Sequence, residues 1–345
     1  MNQTLADVGE FGLIDRISAL LDRESIQGAS VTLGIGDDCA SYRPREGYEQ
    51  LVTCDCMIEG RHYLSKHITP INLGKRAMVM NISDIGAMGG KPLYALISLG
   101  LKEDTRVKDV EDMYRGFIEE LNPFGASIIG GNIAGSVYNT FIAITLIGEV
   151  EKGKIVRRST ARVGNSILVT GYPGRSAMGL RLLLNEKREK DLTDHPLVKA
   201  YNRPVHRARE GRAIAQSGCA TAMIDISDGF LGDLGHICEG SGVGAKLIQE
   251  KLPISEDMIG IAPPEEWDIF DMVMNDSDDY ELIITCPPSN VDTICSIVAA
   301  ISDAPVTEVG RITPSSEGIK LVLIDGTQRE VTPSGWDHFK RHKKV

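Results

Sequence analysis

The sequence predicts a two-domain protein of mixed α and β content, with sheet and helix in segregated α+β layers rather than in one doubly wound sheet. Three observations lead there. The chain has 345 residues, more than one hydrophobic core ordinarily serves. Apolar runs of strand length recur among helical patterns, but the two do not alternate regularly enough for successive βαβ units. A polar, turn-rich stretch at 149–164, EVEKGKIVRRSTARVG, separates two halves that each restart with strand and helix signals. The boundary is set inside it, giving domains 1–152 and 153–345.

Strand-length runs stand at Leu51–Asp55, Leu93–Leu101 and Thr140–Gly148 in the first half. In the second half they stand at Ser166–Thr170, Thr221–Asp225, Glu281–Thr285 and Lys320–Ile324. Helical periodicity marks Pro70–Met88, ended by Gly-Gly-Lys-Pro at 89–92, and then Val107–Leu121, Ser176–Leu184, Pro204–Ser217 and Phe230–Glu239. The stretch Gly125–Gly135, GASIIGGNIAG, reads as a glycine-rich turn after an apolar run.

Composition narrows the function. A content of 42% hydrophobic and 25% charged residues is that of a globular protein. No run approaches the roughly 18 apolar residues that cross a bilayer, and MNQTLADVGEFG has neither the basic nor the apolar segment of a secretion signal, so the expected location is cytoplasmic, with no membrane partner. The seven cysteines are scattered, and the closest pair, Cys54 and Cys56, has no recognised zinc spacing; reduced, mostly buried thiols are expected. A net charge of −11 argues against a nucleic-acid partner and repels phosphorylated ligands, unless cations bind with them.

Four acidic segments could hold such cations. Gly34-Ile35-Gly36-Asp37-Asp38 puts two carboxylates after a glycine turn, and reads equally as a solvated turn. Asp55 closes an apolar run as a strand-end carboxylate, with His62 just beyond; a turn cap would use the same position. Asn81 and Asp84 share one face of an otherwise apolar helix, where a charge is costly unless paired, metal-bound or turned to solvent. In Met223-Ile224-Asp225-Ile226-Ser227-Asp228-Gly229-Phe230, Asp225 ends a strand and Asp228 follows in the turn, so both can face one cation; Ser227 or Asp228 can also cap the next helix. Hard oxygen donors without a Cys/His set favour Mg2+ over zinc, and Mg2+ suggests phosphates.

The nearest match to a P-loop, Gly148–Ile155, has Ile155 where a metal-binding hydroxyl belongs and glutamates where phosphates would sit, so it reads as a hairpin turn. The glycine-rich stretch at 125–135 can instead offer backbone N–H groups, and Arg157 and Arg158 can clamp phosphate oxygens.

These pieces, in this order, resemble the thiamine-monophosphate kinases, of the superfamily that also holds aminoimidazole-ribonucleotide synthetase, selenophosphate synthetase and the hydrogenase-maturation protein that dehydrates a carbamoyl group. The resemblance rests on GEFGLI (9–14), GIGDDCA (34–40), D-x-x-x-E-G-x-H (55–62), NISDIGAMGG (81–90), the glycine pair 130–131, AMIDISDGF (222–230), DYEL (279–282) and WDHF (336–339). It implies an aminoimidazole-ribonucleotide synthetase-like fold: an N-terminal α/β domain that forms a homodimer and binds ATP and Mg2+, and a C-terminal α+β domain that completes the cleft. It implies several Mg2+ ions held by Asp38, Thr53, Asp55, Asp84, Asn132, Asp225 and Asp228, and ATP contacts from Gly131, Asn132, Arg158 and Ser227. His62, Asp278 and Trp336 fall where the family contacts thiamine monophosphate. The implied reaction is direct in-line transfer of the ATP γ-phosphoryl group to thiamine monophosphate.

Four departures from the family pattern stand out. Asn132 replaces an aspartate, Asp276-Ser277-Asp278-Asp279 replaces Gly-Gly-Glu-Asp, Cys54 replaces a threonine and Asn165 an aspartate. They leave two alternatives open: a related kinase with a different phosphorylated acceptor, and a catalytically degenerate paralogue that binds nucleotide or thiamine phosphate.

Overall fold

Residues 3–25, 30–35, 39–185, 192–262, 267–275 and 277–333 are described in the structure, a computed structural model. The chain divides into two units, Met1–Ile155 and Val156–Val345.

The first unit opens with helix α1 (Leu5–Glu24) and a short antiparallel pair, β1 (Val31–Leu33) with β2 (Ser41–Tyr42). Its main sheet comprises β3 (Tyr48–Ile58), β4 (Lys91–Leu101), β5 (Ser127–Gly135) and β6 (Phe141–Glu151) in the order β3-β6-β4-β5. β4 and β5 run parallel; the other pairs are antiparallel. Helix α2 (Pro70–Ala87) starts where Thr69 caps it by accepting the Asn72 N–H at 3.4 Å, and stops before Gly89, whose φ of 80° suits a helix end. Its neighbour α3 (Val107–Leu121) meets it at two glycines, since a Cβ on Gly74 would stand 2.1 Å from Met113 O and one on Gly116 2.2 Å from Ile71 O. The close approach lets α2 bury Leu73, Ala77, Met78, Val79 and Ile82. Ile85 lies over Gly148 of β6, so the helix covers one face of the sheet.

Strand alternation sorts β3 into two faces. Leu51 and Met57 are buried, with Thr53 and Asp55 half-buried on the same helix-covered side; Val52, Cys54, Cys56 and Ile58 are exposed on the other. The expectation of mostly buried thiols is therefore corrected. All seven are free, Cys238 and Cys286 are buried, and Cys39, Cys54 and Cys56 are exposed.

Two expected turns also differ. Ser127–Gly135 is a strand along β4, and the glycine pair within it serves close contact rather than turning: a Cβ on Gly131 would sit 2.0 Å from Ile97 O and one on Gly130 2.9 Å from Leu96 Cδ2. Residues 148–155 end β6 in a tight turn closed by Lys154 N–H on Glu151 O at 2.9 Å, with Gly153 at φ 77°, and the next strand joins another sheet, so this is no hairpin.

The second unit is a seven-stranded sheet, β13-β12-β9-β11-β7-β10-β8, made of β7 (Ser166–Thr170), β8 (Ala222–Asp225), β9 (Val243–Ile248), β10 (Leu282–Cys286), β11 (Val306–Pro314), β12 (Ile319–Val322) and β13 (Gln328–Glu330). The pairs are antiparallel except β12 with β9. Its helices are α4 (Arg175–Leu184), α5 (Pro196–Asn202), α6 (Ala208–Ser217), α7 (Phe230–Ser241), α8 (Glu256–Ile261), α9 (Ile269–Met274) and α10 (Val291–Ala299). Ile167, Val169, Ile224, Phe230, Leu234 and Ile283 anchor its core; fully burying a side chain of this size stabilises by about 1.5–3 kcal/mol. Helix α6 starts at Ala208 rather than Pro204, where His206 Nδ1 accepts the Ala208 N–H at 3.3 Å. Among the described residues no helix is long and apolar enough to cross a membrane.

Candidate functional site

In the first unit, three of the predicted residues meet where β3 faces α2. Thr53 donates its hydroxyl hydrogen to Asp84 Oδ2. One residue pair along, the Asp55 N–H donates to Asn81 Oδ1 at 3.2 Å, while Asn81 Nδ2 donates to Ala77 O at 3.2 Å. Asn81 is thus the bracket that fixes β3 to the buried face of α2, and the half-buried Asp55 and Asp84 are offered from a rigid strand and a rigid helix. Gly131 and Asn132 do not join this cluster. They lie on β5, at the opposite edge of the sheet from β3, with two strands between, roughly 14 Å at the usual spacing. Asn132 pairs with Ser98, Ser98 with Ala143 and Ala143 with Cys56, so its side chain shares the open face with Cys56 rather than the face of Asp55.

In the second unit, β8 ends on the buried Asp225, paired with Leu282 of β10. The chain then turns through the exposed Ser227 and half-buried Asp228 to Gly229, whose φ of 109° and ψ of 147° lead into α7. Sequence reasoning missed Asp233, in the first turn of α7. It is 2% exposed, and its Oδ2 accepts the N–H groups of both Ser227 and Asp228, at 3.0 and 3.1 Å. Burial, reinforced by the Asp228 charge, raises the Asp233 carboxyl to about 7, against the pull of these backbone N–H groups. Ligand atoms of Asp228, Asp233 and His236 lie within 4.8 Å of one another, the one such group among the described residues. The usable signal was an acid among the apolar residues of FLGDLGHI, where burial demands a purpose.

Next to this turn runs the acidic segment 277–281. The Tyr280 N–H donates to Ile226 O and the Ile226 N–H to Glu281 O, both at 2.8 Å, so the two segments are paired backbone to backbone. Tyr280 has φ 54°, the one left-handed non-glycine among the described residues, a conformation that concentrates at functional sites. The segment is also tied to the start of α4. Asp279 accepts the Gly174 and Ser176 N–H groups at 2.6 and 2.9 Å, and Asp278 Oδ1 accepts the Ser176 hydroxyl at 2.5 Å. Burial raises the Asp279 carboxyl to about 6 despite those donors. Glu281 is held in a fork by Arg207, whose Nε and Nη2 donate at 2.6 Å each, and by the Thr170 hydroxyl at 2.6 Å.

His62 stands in the first unit, where its Nδ1 accepts the Ile58 N–H at 3.0 Å and shapes the turn after β3. That turn borders an open cavity of about 490 Å³ lined by Glu59, Arg61, Lys66, Lys102 and Tyr138 among others. Burial pushes the Glu59 carboxyl up, but the Thr140 N–H, Ser65 and Lys102 outweigh it and leave it below the usual range. Arg158 is exposed, and its carbonyl accepts the Ser241 hydroxyl at 3.3 Å, tying it to the end of α7. Asp38, with Asp37, and Trp336 and Asp276 lie outside the described residues. Within each unit the donors are mainly oxygens, Thr53, Asp55 and Asp84 in the first and Asp225, Ser227 and Asp228 in the second, where His236 is the nitrogen at hand; such donors fit Mg2+ and suit a structural zinc poorly.

Comparison with known proteins agrees with this layout. The model of the AIR synthase related protein N-terminal domain matches residues 36–150, and that of the C-terminal domain residues 162–322. A thiamine-monophosphate kinase of Aquifex aeolicus (strain VF5) is 35% identical over 337 residues, 97% of this chain and 99% of that protein. Among solved structures, a thiamine-monophosphate kinase from Stenotrophomonas maltophilia K279a superposes with a TM-score of 0.79 at 30% identity, covering 92% of this chain and 97% of its own. Another, AaThiL complexed with AMPPCP and TMP, gives 0.75 at 32% identity, covering 98% and 99%. The chain belongs to the AIR synthase related family, in the branch of the thiamine-monophosphate kinases.

Proposed function

We propose that this protein transfers the γ-phosphoryl group of ATP to the phosphate of thiamine monophosphate, giving thiamine diphosphate, with Mg2+ as its cation and the cytoplasm as its compartment. The observation that carries this reading is the turn from Asp225 to Asp228, two carboxylates and a hydroxyl on a backbone fastened from behind by Asp233. A protein of net charge −11 repels phosphorylated ligands, and such a turn counters that by gathering cations. The named relative and the solved structure with AMPPCP and TMP support the same two substrates.

An ionised phosphate oxygen is already a nucleophile, so the chain need not supply a base; its task is to bind and orient. Bound Mg2+ supplies charge neutralisation at the phosphate oxygens. Its proposed ligands are Asp38, Thr53, Asp55, Asp84, Asp225 and Asp228, with Asn132 acting separately from the open face of its sheet. Gly131, Asn132, Arg158 and Ser227 are proposed to contact ATP, and His62, Asp278 and Trp336 the thiamine phosphate. A homodimer belongs to the proposal. Val52, Cys54, Cys56 and Ile58 of β3 form an exposed row, extended by Phe141, the register partner of Ile58, and an open apolar sheet face of this kind marks an interface.

The test is to incubate purified protein with Mg2+, ATP and thiamine monophosphate and follow thiamine diphosphate directly. Formation at roughly 1 s⁻¹ or somewhat less is expected. ATP binding without diphosphate formation would overturn the acceptor, and other phosphorylated acceptors would then be screened. Asp228→Asn should keep the fold and lose turnover at limiting Mg2+; normal turnover there would remove the metal-ligand assignment.

A further inference from the structure

Between the last residue of β8 and the first of α7 the chain must reverse while presenting Ser227 and Asp228 to a ligand. A short turn of this kind has backbone N–H groups that can point either way, and side chains that follow them. Here both consecutive N–H groups, of Ser227 and Asp228, converge on a single oxygen, Asp233 Oδ2, at 3.0 and 3.1 Å. Asp233 itself is fixed, being 2% exposed on α7, with its own N–H donating to Gly229 O at 3.0 Å. With both amides held inward, the Ser227 side chain remains exposed and that of Asp228 half-exposed. Burying an acid on a helix whose Leu231, Leu234 and Ile237 are also buried, beside the like charge of Asp228, opposes folding unless its oxygens are engaged. Its contacts show that they are: one side-chain oxygen accepts two converging N–H groups at once, which a carboxylate or amide oxygen of this reach can do and an alanine cannot.

We propose that Asp233 is a positioning residue, which pre-forms the Ser227–Asp228 turn so that hydroxyl and carboxylate are aimed before nucleotide and Mg2+ arrive. The inference rests on the function proposed above and goes further, since it makes cation and nucleotide affinity depend on a buried residue that touches neither. Removing a partner that orients a metal ligand typically weakens the metal by 10–100-fold.

The full-length protein is tested by titrating Mg2+ at fixed non-hydrolysable ATP analogue and recording binding by calorimetry, with thermal melting as a check on the fold. Asp233→Ala should raise the Mg2+ concentration for half-maximal binding at least tenfold. Asp233→Asn keeps an oxygen within reach of both amides and should stay within about threefold of the parent. A folded Asp233→Ala protein with Mg2+ dependence within twofold of the parent would overturn the proposal, and so would a tenfold loss in Asp233→Asn. Should Asp233→Ala fail to fold, hydrogen exchange of the unmodified protein decides. The Ser227 and Asp228 amides should be protected before any ligand is added, and protection that appears only with Mg2+ and nucleotide would overturn a pre-formed turn. Asp228→Asn separates the two levels: if it leaves Mg2+-dependent binding intact, the site itself is misassigned, whereas loss there with no effect of Asp233→Ala sinks only the positioning role.

Discussion

Replacing Arg207 by methionine should be among the most damaging single changes in the second unit. Glu281 is 7% exposed, and its carboxylate receives two fork-like bonds from Arg207 and one from Thr170. It also lies hard against the backbone, since a Cβ on Gly171 would be 2.0 Å from its Oε1. Arg207→Met keeps most of the aliphatic stem but leaves that charge with the Thr170 hydroxyl alone, a loss of about 3–5 kcal/mol for breaking a buried pair. Glu281→Leu alone strands the Arg207 charge, which retains Glu210 at 3.7 Å, so its cost should be smaller. The double variant should cost less than the two single losses added, by at least about 1 kcal/mol, because neither charge is left behind. Urea denaturation of the four proteins at neutral pH gives the cycle. A loss below about 1 kcal/mol in Arg207→Met, or additive losses, would refute the view that this pair is desolvated and mutually dependent. The effect should reach the site, because Glu281 O accepts the Ile226 N–H at 2.8 Å just before Ser227.

Three further outcomes are expected. Burial first, then the charges of Arg207 and Arg209, lower His206 from 6.5 to about 4, so the unfolded chain takes up a proton at a pH where the folded one refuses it, and stability present above 6.5 is lost as pH falls. Between pH 6.5 and 5 that amounts to about 1.5 kcal/mol, since the slope rises from half of about 1.36 kcal/mol per unit at pH 6.5, and the parent should lose that much more than His206→Gln over the same range; parallel pH profiles would reject it. Gly131→Ala should destabilise the first unit by about 1–3 kcal/mol in thermal melts, because its Cβ would strike Ile97 O, and an unchanged melting temperature would refute that packing. Val52→Glu, at a residue 67% exposed, should leave the fold intact but shift sedimentation toward the monomer; an unaltered dimer would mean the interface lies elsewhere.

The legible parts of the fold were those where one signal acts alone. Pro70 with Thr69, and the glycines at 89–90, fix α2 locally, and Ser166–Thr170 is a strand buried on both faces that its apolar run announces. The turn from Asp225 to Asp228 was legible because small and acidic residues interrupt an apolar strand there. Residues 127–135 were misread because glycine's local meaning is a turn, whereas its use here is tertiary, a close approach to the backbone of β4 that no neighbour in sequence reveals. Cys54 and Cys56 were misplaced by residue type, although alternation with Leu51 and Met57 on β3 would have put them outward. Asp233 escaped because its partners, the N–H groups of Ser227 and Asp228, are backbone atoms, invisible to any search for side chains in a motif.

The departures from the family pattern are of unequal weight once they are seen in place. Asn165 is buried and does a turn's work, its Oδ1 accepting the Arg162 N–H at 3.0 Å and the Thr221 hydroxyl at 2.6 Å, a task with no bearing on a ligand. Cys54 points to the open face of β3, away from the side where Thr53 meets Asp84, so exchanging a hydroxyl for a thiol there leaves that contact untouched. The acidic segment is different, because it borders the Asp225–Asp228 turn through the Ile226 backbone. Four hydrogen bonds from Gly174, Ser176 and Ala177 hold Ser277, Asp278 and Asp279 to the start of α4, and one of them occupies an oxygen of Asp278. A shorter acid that is already engaged reaches less far toward an acceptor than a glutamate on flexible glycines. On the substrate role proposed for Asp278, the change therefore bears on the acceptor, whereas the residues proposed to hold Mg2+ are not altered by it. A shifted acceptor preference would appear as a raised KM for thiamine monophosphate at unchanged Mg2+ dependence, whereas a decayed nucleotide site would raise the Mg2+ requirement for ATP binding whatever the acceptor.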